Sequence, residues 1–133
     1  MKNLVQTAVD TGIFKTLIKV VREAGLVDAL SIEGPFTIFA PTDQAFAKLP
    51  KGTIEKLLKD KEKLTYILTY HVILNEVMAY QVVNMKKTNA ANGKELTINT
   101  KKGLKVDKSN IIKTDIKCTN GIIHVIDRVL IPK

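Results

Sequence analysis

The 133-residue chain has one cysteine, Cys118, and two histidines, His71 and His124. A single cysteine excludes an internal disulfide and any cysteine-rich metal site. Zinc would need carboxylates gathered from unrelated segments, so neither a metal nor another cofactor is expected. The simplest reading of Cys118 is a small residue packed on a strand. No apolar run approaches the ~20 residues that cross a bilayer, so no transmembrane segment is expected. The opening Met1-Lys-Asn-Leu-Val-Gln6 lacks the apolar core of a signal peptide, which leaves either a cytoplasmic protein or a trimmed mature domain. Internal repeats, low-complexity segments and long linkers are missing as well.

The usual marks of catalysis are also missing. There is no glycine-rich phosphate loop, and neither Ser31 nor Ser109 stands in a strained elbow motif. His71 and His124 are the only candidate bases near neutral pH. Nothing in the spacing of Asp43 with Asp127 or Asp115 brings two carboxylates together as acid and base. An enzyme is not expected.

Acidic residues are scarce in one region. The net charge is +8, from 21 basic and 13 acidic residues, and between Asn84 and Lys117 nine lysines face only Glu95, Asp107 and Asp115. A positive surface there would suit acidic polysaccharide, phospholipid headgroups, nucleic acid or a mineral face. The simpler reading is that outward lysines keep a β-rich domain soluble and block sheet-to-sheet association. No arginine or aromatic residue lies among them for base stacking, so nucleic acid is not the expected partner.

What is present is an ordinary globular composition, 45% hydrophobic and 26% charged, in a length that suits one domain over residues 1–133. Phe36-Thr-Ile-Phe-Ala-Pro-Thr-Asp-Gln-Ala-Phe46 organises it. Its first half has the β-branched and aromatic residues of a strand, Pro41 ends the ladder, and Thr42 or Asp43 can cap a helix that starts at once. Upstream, apolar spacing predicts a helix over residues 3–11 stopped by Gly12, a second over 13–24 capped by Gly25, and a short helical turn over 26–30 closed by residues 31–35. Downstream come a brief helix ended by Pro50 and Gly52, a helix capped by Thr53, and a helical run from Lys63 to Tyr70.

The pattern then becomes extended. His71-Val-Ile-Leu74 is a β-branched run, Asn75-Glu76 a turn, and 79–83 one helical turn. Leu96 and Ile98, then Leu104 and Val106 beyond Gly103, alternate as a hairpin with one solvated face. Residues 111–116 read as a strand, Asn120-Gly121 as a turn, and 122–131 as a strand apolar on both parities, ended by Pro132. Covered on both faces, that strand should be central and should pair with the strand at Phe36.

At these residues the sequence resembles the fasciclin domain. Phe36–Phe46 matches the first signature box, and Gly121-Ile-Ile-His-Val-Ile-Asp-Arg-Val-Leu-Ile-Pro132 matches the second. Between them Leu68-Thr-Tyr-His-Val-Ile73 matches the tyrosine-histidine motif, and Asn92-Gly-Lys94 matches the mid-domain turn. The resemblance covers essentially the whole chain. It implies an α+β fold, a wedge-shaped β-sandwich of about seven strands with a layer of several α-helices. It also implies adhesion or matrix attachment at an extracellular or cell-surface location. Tyr70-His71 and Asp115-Ile116 match pairs implicated in integrin recognition by animal members.

Three departures from the family pattern stand out: Gln44 replaces a common glutamate, Met78 replaces a Ser or Thr cap, and Cys118 replaces a small residue. Without its cap, the helix near Tyr80 should be frayed or displaced.

Each signature residue also has a structural reading. Thr42 and Asp43 are a capping pair for the helix that follows Pro41, and His124 is a neutral imidazole bonded inside an apolar strand. Asp127 and Arg128 differ in parity, so each pairs with another element at the sheet margin. Tyr70-His71 closes a helix, with the tyrosine ring buried. The leading expectation is a non-enzymatic, monomeric adhesion or matrix-interaction module. Its partner would be a cell-surface or matrix protein or polysaccharide, and an acidic glycan would meet Lys86, Lys87, Lys101 and Lys102. The alternative is a carrier or sensor of a small apolar ligand held between helices and sheet.

Overall fold

The computed structural model describes residues 2–31, 34–101 and 103–131. Helix α1 (Leu4–Thr11) begins with a capping box: Asn3 Oδ1 accepts from the Gln6 amide at 2.8 Å, and Gln6 Oε1 accepts from the Asn3 amide at 3.1 Å. Gly12, at φ 73°, ends it. Helix α2 (Lys15–Glu23) buries Leu17, Val20 and Val21, and α3 (Val27–Ser31) follows after Gly25. The closure expected over residues 31–35 falls partly on 32 and 33, outside the described residues.

Strand β1 (Phe36–Pro41) gives way to α4 (Asp43–Ala47) at Thr42, whose Oγ1 accepts from the Ala45 amide at 3.2 Å. Helices α5 (Thr53–Lys59) and α6 (Lys61–Thr69) complete the helical layer. Two details differ from expectation. Gly52 at φ 84°, a backbone region that suits glycine, takes the cap position of α5, so Thr53 is its first helical residue. Asp60 then separates α5 from α6 and caps the latter by accepting from the Lys63 amide at 3.2 Å.

The remaining elements are β2 (Val72–Ile73), α7 (Ala79–Val82), β3 (Lys87–Asn89), β4 (Glu95–Asn99), β5 (Lys105–Val106), β6 (Ser109–Cys118) and β7 (Gly121–Ile126). The strands hydrogen-bond in the order β2-β1-β7-β6-β5-β4-β3; β1 and β7 run parallel and every other neighbouring pair runs antiparallel. As the two-sided apolar pattern implies, β7 is central and pairs with β1 from Phe36↔Gly121 to Pro41↔Ile126.

Each face of that central pair has its own core. Ile38, Ala40, Ile123 and Val125 pack with Leu4, Phe14, Leu64 and Leu68 of the helical side. On the opposite face, Phe39 and Ile126 pack with Leu96, Ile98 and Val106 of the outer strands. The sheet is therefore covered on both sides, which is the layered packing expected of the α+β sandwich.

Two glycines let these layers close. A Cβ on Gly121 would land on the Phe36 carbonyl oxygen, and one on Gly34 would land on that of Asn120. The β6–β7 loop is Thr119-Asn120, so Gly121 belongs to the strand and is needed for close approach rather than for the turn. Strand β7 also stops at Ile126, short of the expected Ile131. Asp127 stays tied to β6 beyond the strand end: its amide donates to the Asn110 carbonyl at 3.1 Å, and its carboxylate accepts from the Asn110 amide (2.8 Å) and Asn110 Nδ2 (2.9 Å). Pro132 lies outside the described residues.

Candidate functional site

The tyrosine-histidine pair sits at the end of α6, where the chain turns from helix into sheet. Both side chains point inward; Tyr70 is 5% exposed and His71 2%. The Leu130 amide donates to His71 Nε2 at 2.9 Å, so the ring proton must be on Nδ1, which lies 2.9 Å from the Ile67 carbonyl oxygen. This neutral imidazole links the last turn of α6 to the segment after β7. Burial dominates its titration and lowers its pKa from 6.5 to about 4, although the Ile67 carbonyl and the Asp107 carboxylate act in the opposite sense.

Tyr70 projects the other way. Its hydroxyl lies 2.6 Å from Asp107 Oδ2 and 2.9 Å from the Glu95 carbonyl oxygen. Burial first, and then the Asp107 carboxylate, raise its pKa above the ordinary phenol value. Asp107 has a left-handed backbone, φ 52°, and its Oδ1 accepts from the Thr97 amide at 2.9 Å. Tyr70 thus pins the α6 terminus to the β4–β5–β6 corner.

The second histidine makes the mirror arrangement. The Asp115 amide donates to His124 Nδ1 at 3.2 Å, which leaves the proton on Nε2, 2.6 Å from the Val77 carbonyl oxygen. Its ring centroid lies 5.7 Å from that of Phe39 in the first signature box. Burial lowers its pKa against the opposing effects of the Val77 carbonyl and Asp115. Asp115 stands at a bulged position of β6 with φ 59°, and its Oδ1 accepts from the Ala79 amide at 2.9 Å. It therefore caps α7 from another strand, and Gln81 Oε1 accepts from the Met78 amide at 2.9 Å. The fraying expected from Met78 does not occur, because the cap comes from 36 residues away. Ile116 packs against the helix-side core.

The capping residues divide their work. Thr42 caps its own helix, whereas Asp43 Oδ1 accepts from the Thr16 amide at 2.7 Å and so serves α2. For Asp127, burial raises the pKa, but the two Asn110 bonds with Lys48 and Arg128 outweigh it and hold the carboxyl below its ordinary value.

The lysines lie elsewhere. Lys86, Lys87 and Lys101 are exposed, while Lys102 is outside the described residues. Lys87 lies on the edge strand β3, 3.7 Å from Glu95, and among the described residues no other lysine between Asn84 and Lys117 has a carboxylate within 4 Å. Strand β3 itself escaped the sequence reading, since its three residues carry no apolar alternation.

Two concavities flank the Tyr70-His71 junction. A polar groove of about 680 Å³ has Tyr70 and Asp107 at its base, with Lys94, Lys108 and Arg128 around it. On the His71 side, a crevice of about 150 Å³ between the helices and the sheet is lined almost wholly by apolar groups, among them Val5, Leu17, Leu30, Phe36 and Leu74. The crevice lies between helices and sheet, where the alternative expectation placed an apolar ligand, whereas the polar groove has no counterpart in the sequence spacing. Among the described residues, no helix is long and apolar enough to cross a membrane.

Comparison with known proteins agrees with this architecture. A family model for the fasciclin domain matches residues 12–132. Protein sll1483 of Synechocystis sp. is 48% identical over 132 residues, covering 97% of this chain and 73% of that protein. The transforming growth factor-beta-induced protein ig-h3 of Sus scrofa is 36% identical over 120 residues, covering 90% of this chain and 18% of that protein. Among solved structures, the FAS1 domain pair of the insect cell adhesion molecule fasciclin I superposes with a TM-score of 0.75 at 22% identity, over 91% of this chain and 46% of that one. With its signature boxes forming the paired central strands β1 and β7, the chain belongs to the fasciclin domain family.

Proposed function

We propose that this fasciclin-family chain is a non-enzymatic adhesion domain that works at the cell surface or outside the cell. It binds a surface or matrix component, an acidic glycan, through its lysine-rich outer strands. The observation that carries the reading is the set of exposed lysines along β3 to β6, of which, among the described residues, only Lys87 has a carboxylate within 4 Å. Family membership supports the adhesive role, since the structurally similar FAS1 pair belongs to a cell adhesion molecule. A non-catalytic role is supported by the two imidazoles, whose nitrogens are all engaged with backbone groups. Tyr70 and His71 act here as positioning residues that hold the strands in place, Asp115 does the same for α7, and Ile116 packs in the helix-side core.

The test is retention on an immobilised acidic polysaccharide across a salt series. Exposed charges are screened within ~10 Å at 0.1 M ionic strength, so retention should fall steadily with salt. Salt-insensitive attachment would overturn the reading.

A second reading, the carrier of a small apolar ligand, is favoured by the crevice beside His71. Its volume of about 150 Å³ accommodates one ring or the end of a longer chain. Native mass spectrometry of the purified protein tests it: a co-purifying apolar molecule that is lost when Leu17→Arg blocks the crevice supports it, and a bare protein mass refutes it.

A further inference from the structure

We propose that the groove between the β5–β6 corner and the segment after β7 is a specific site for one or two residues of an acidic sugar carrying carboxylate or sulfate. This deepens the glycan reading above by assigning it a site, and it rests on that reading only for the biological source of the sugar.

Lys94, Lys108 and Arg128 border the groove, are exposed, and have no carboxylate within 4 Å among the described residues. The two acidic residues of the groove are already engaged. Asp107 accepts from Tyr70 and from the Thr97 amide through its two oxygens, and the Glu95 carboxylate lies 3.7 Å from Lys87. Asp127 stands beside Arg128, so Lys87, Lys94, Lys108 and Arg128 face the carboxylates of Glu95, Asp107 and Asp127, and the groove keeps a small positive excess toward an incoming ligand. Arg128 supplies the planar fork that binds a carboxylate or sulfate through two parallel bonds.

The groove also mixes apolar and polar surface. Ile131, 48% exposed, offers an apolar surface against which the C–H face of a sugar ring can lie, and Thr97 offers a hydroxyl for its polar edge. A simple inorganic anion would use only the cations. A nucleotide would need an aromatic face for its base, and the one aromatic side chain in the groove, Tyr70, is buried. The volume, about 680 Å³, falls in the range of small-ligand sites.

The groove is assembled from three parts of the chain that other contacts fix. Tyr70 holds the β4–β5–β6 corner, Asn110 holds Asp127, and His71 receives the Leu130 amide. Ser109 Oγ also donates to the Arg128 carbonyl oxygen at 2.8 Å, so the backbone carrying Arg128 is tied to β6. A pre-organised groove loses little entropy on binding, which suits a small and strongly hydrated ligand.

The experiment is titration of the folded protein by amide-resolved NMR with digalacturonate, a sulfated disaccharide, neutral cellobiose and inorganic sulfate. The result expected is that at least one acidic disaccharide shifts amides at residues 94–97, 107–109 and 128–131, while cellobiose does not. Lys108→Glu with Arg128→Glu should weaken that binding by about tenfold or more, because charge-assisted bonds are lost. Lys56→Glu with Lys59→Glu on α5 changes the net charge equally and should leave it within about twofold. Absence of disaccharide binding, equal weakening by both double variants, or equal affinity for inorganic sulfate, meaning an adventitious ion only, would each overturn the site. If intact polysaccharide is still retained in those cases, the site fails and the glycan reading stands. If polysaccharide retention is absent while the disaccharide binds in the groove, the site stands and the adhesive reading fails.

Discussion

Acidification should destabilise this domain in a window set by His71. In the folded protein the ring is neutral: Nε2 accepts from the Leu130 amide at 2.9 Å, and Nδ1–H donates to Ile67. Protonating Nε2 would place one N–H against another in a site that is 2% exposed. The folded pKa is accordingly lowered to about 4 from 6.5. Since the unfolded chain takes up the proton first, stability is full above about pH 7, declines as pH falls below 6.5, and levels off beneath 4. The gap corresponds to about 3 kcal/mol at ~1.4 kcal/mol per pH unit. Against a typical total of ~5–15 kcal/mol, the loss is large, and it should lower Tm by something on the order of 10 °C.

His124 is displaced in the same direction and adds to the effect. Asp127 has a lowered pKa, so its contribution is lost only as pH falls from 3.8 downward, beneath the histidine window. The assay is urea unfolding at pH steps from 8 to 4, on the wild type and on His71→Asn, whose side-chain amide does not titrate. The variant should start about 2 kcal/mol less stable, with the Leu130 amide unsatisfied, and then lose less stability on acidification. Parallel curves for the two proteins would refute the reasoning, as would an imidazole NMR titration with a His71 midpoint above 6 in the folded state.

Three further outcomes follow from the same geometry. Gly121→Ala places a methyl on the Phe36 carbonyl and should cost about 1–3 kcal/mol or more in chemical denaturation, although the residue is compatible with a strand. Asp115→Ala removes the cap of α7 and leaves alanine at φ 59°, so the domain should lose about 1–2 kcal/mol and the amides of residues 79–84 should exchange faster with deuterium; Asp115→Asn should recover part of both. Tyr70→Phe removes the hydroxyl between Asp107 and the Glu95 carbonyl and should lower stability by about 1–2 kcal/mol. Any loss of polysaccharide retention in that variant should vanish below its melting transition; loss without loss of stability would assign Tyr70 a direct contact instead.

What the sequence by itself determined is local. Gly12 ends α1, Thr42 caps α4, and alternation at Leu96 and Ile98 faces one side of β4 to the core, because each depends on backbone sterics or on partners a few residues away. The apolar run of β7 also carried its central position, since only a strand covered on both faces needs such a pattern. Tertiary structure decided the rest. Asp43 caps α2 and Asp115 caps α7, yet no local pattern couples an acceptor to a helix 27 or 36 residues earlier. Strand β3 exists because β4 pairs with its backbone, and its side chains record nothing of that. The tautomers of His71 and His124 follow from which distant amide reaches each ring, at Leu130 and at Asp115. Lys94, Lys108 and Arg128 meet at one groove only because the segment after β7 is fixed by distant partners, the Arg128 carbonyl by Ser109 and the Leu130 amide by His71. Hydrogen bonds and charges between remote segments gain their strength from burial, and burial exists only once the layers have closed.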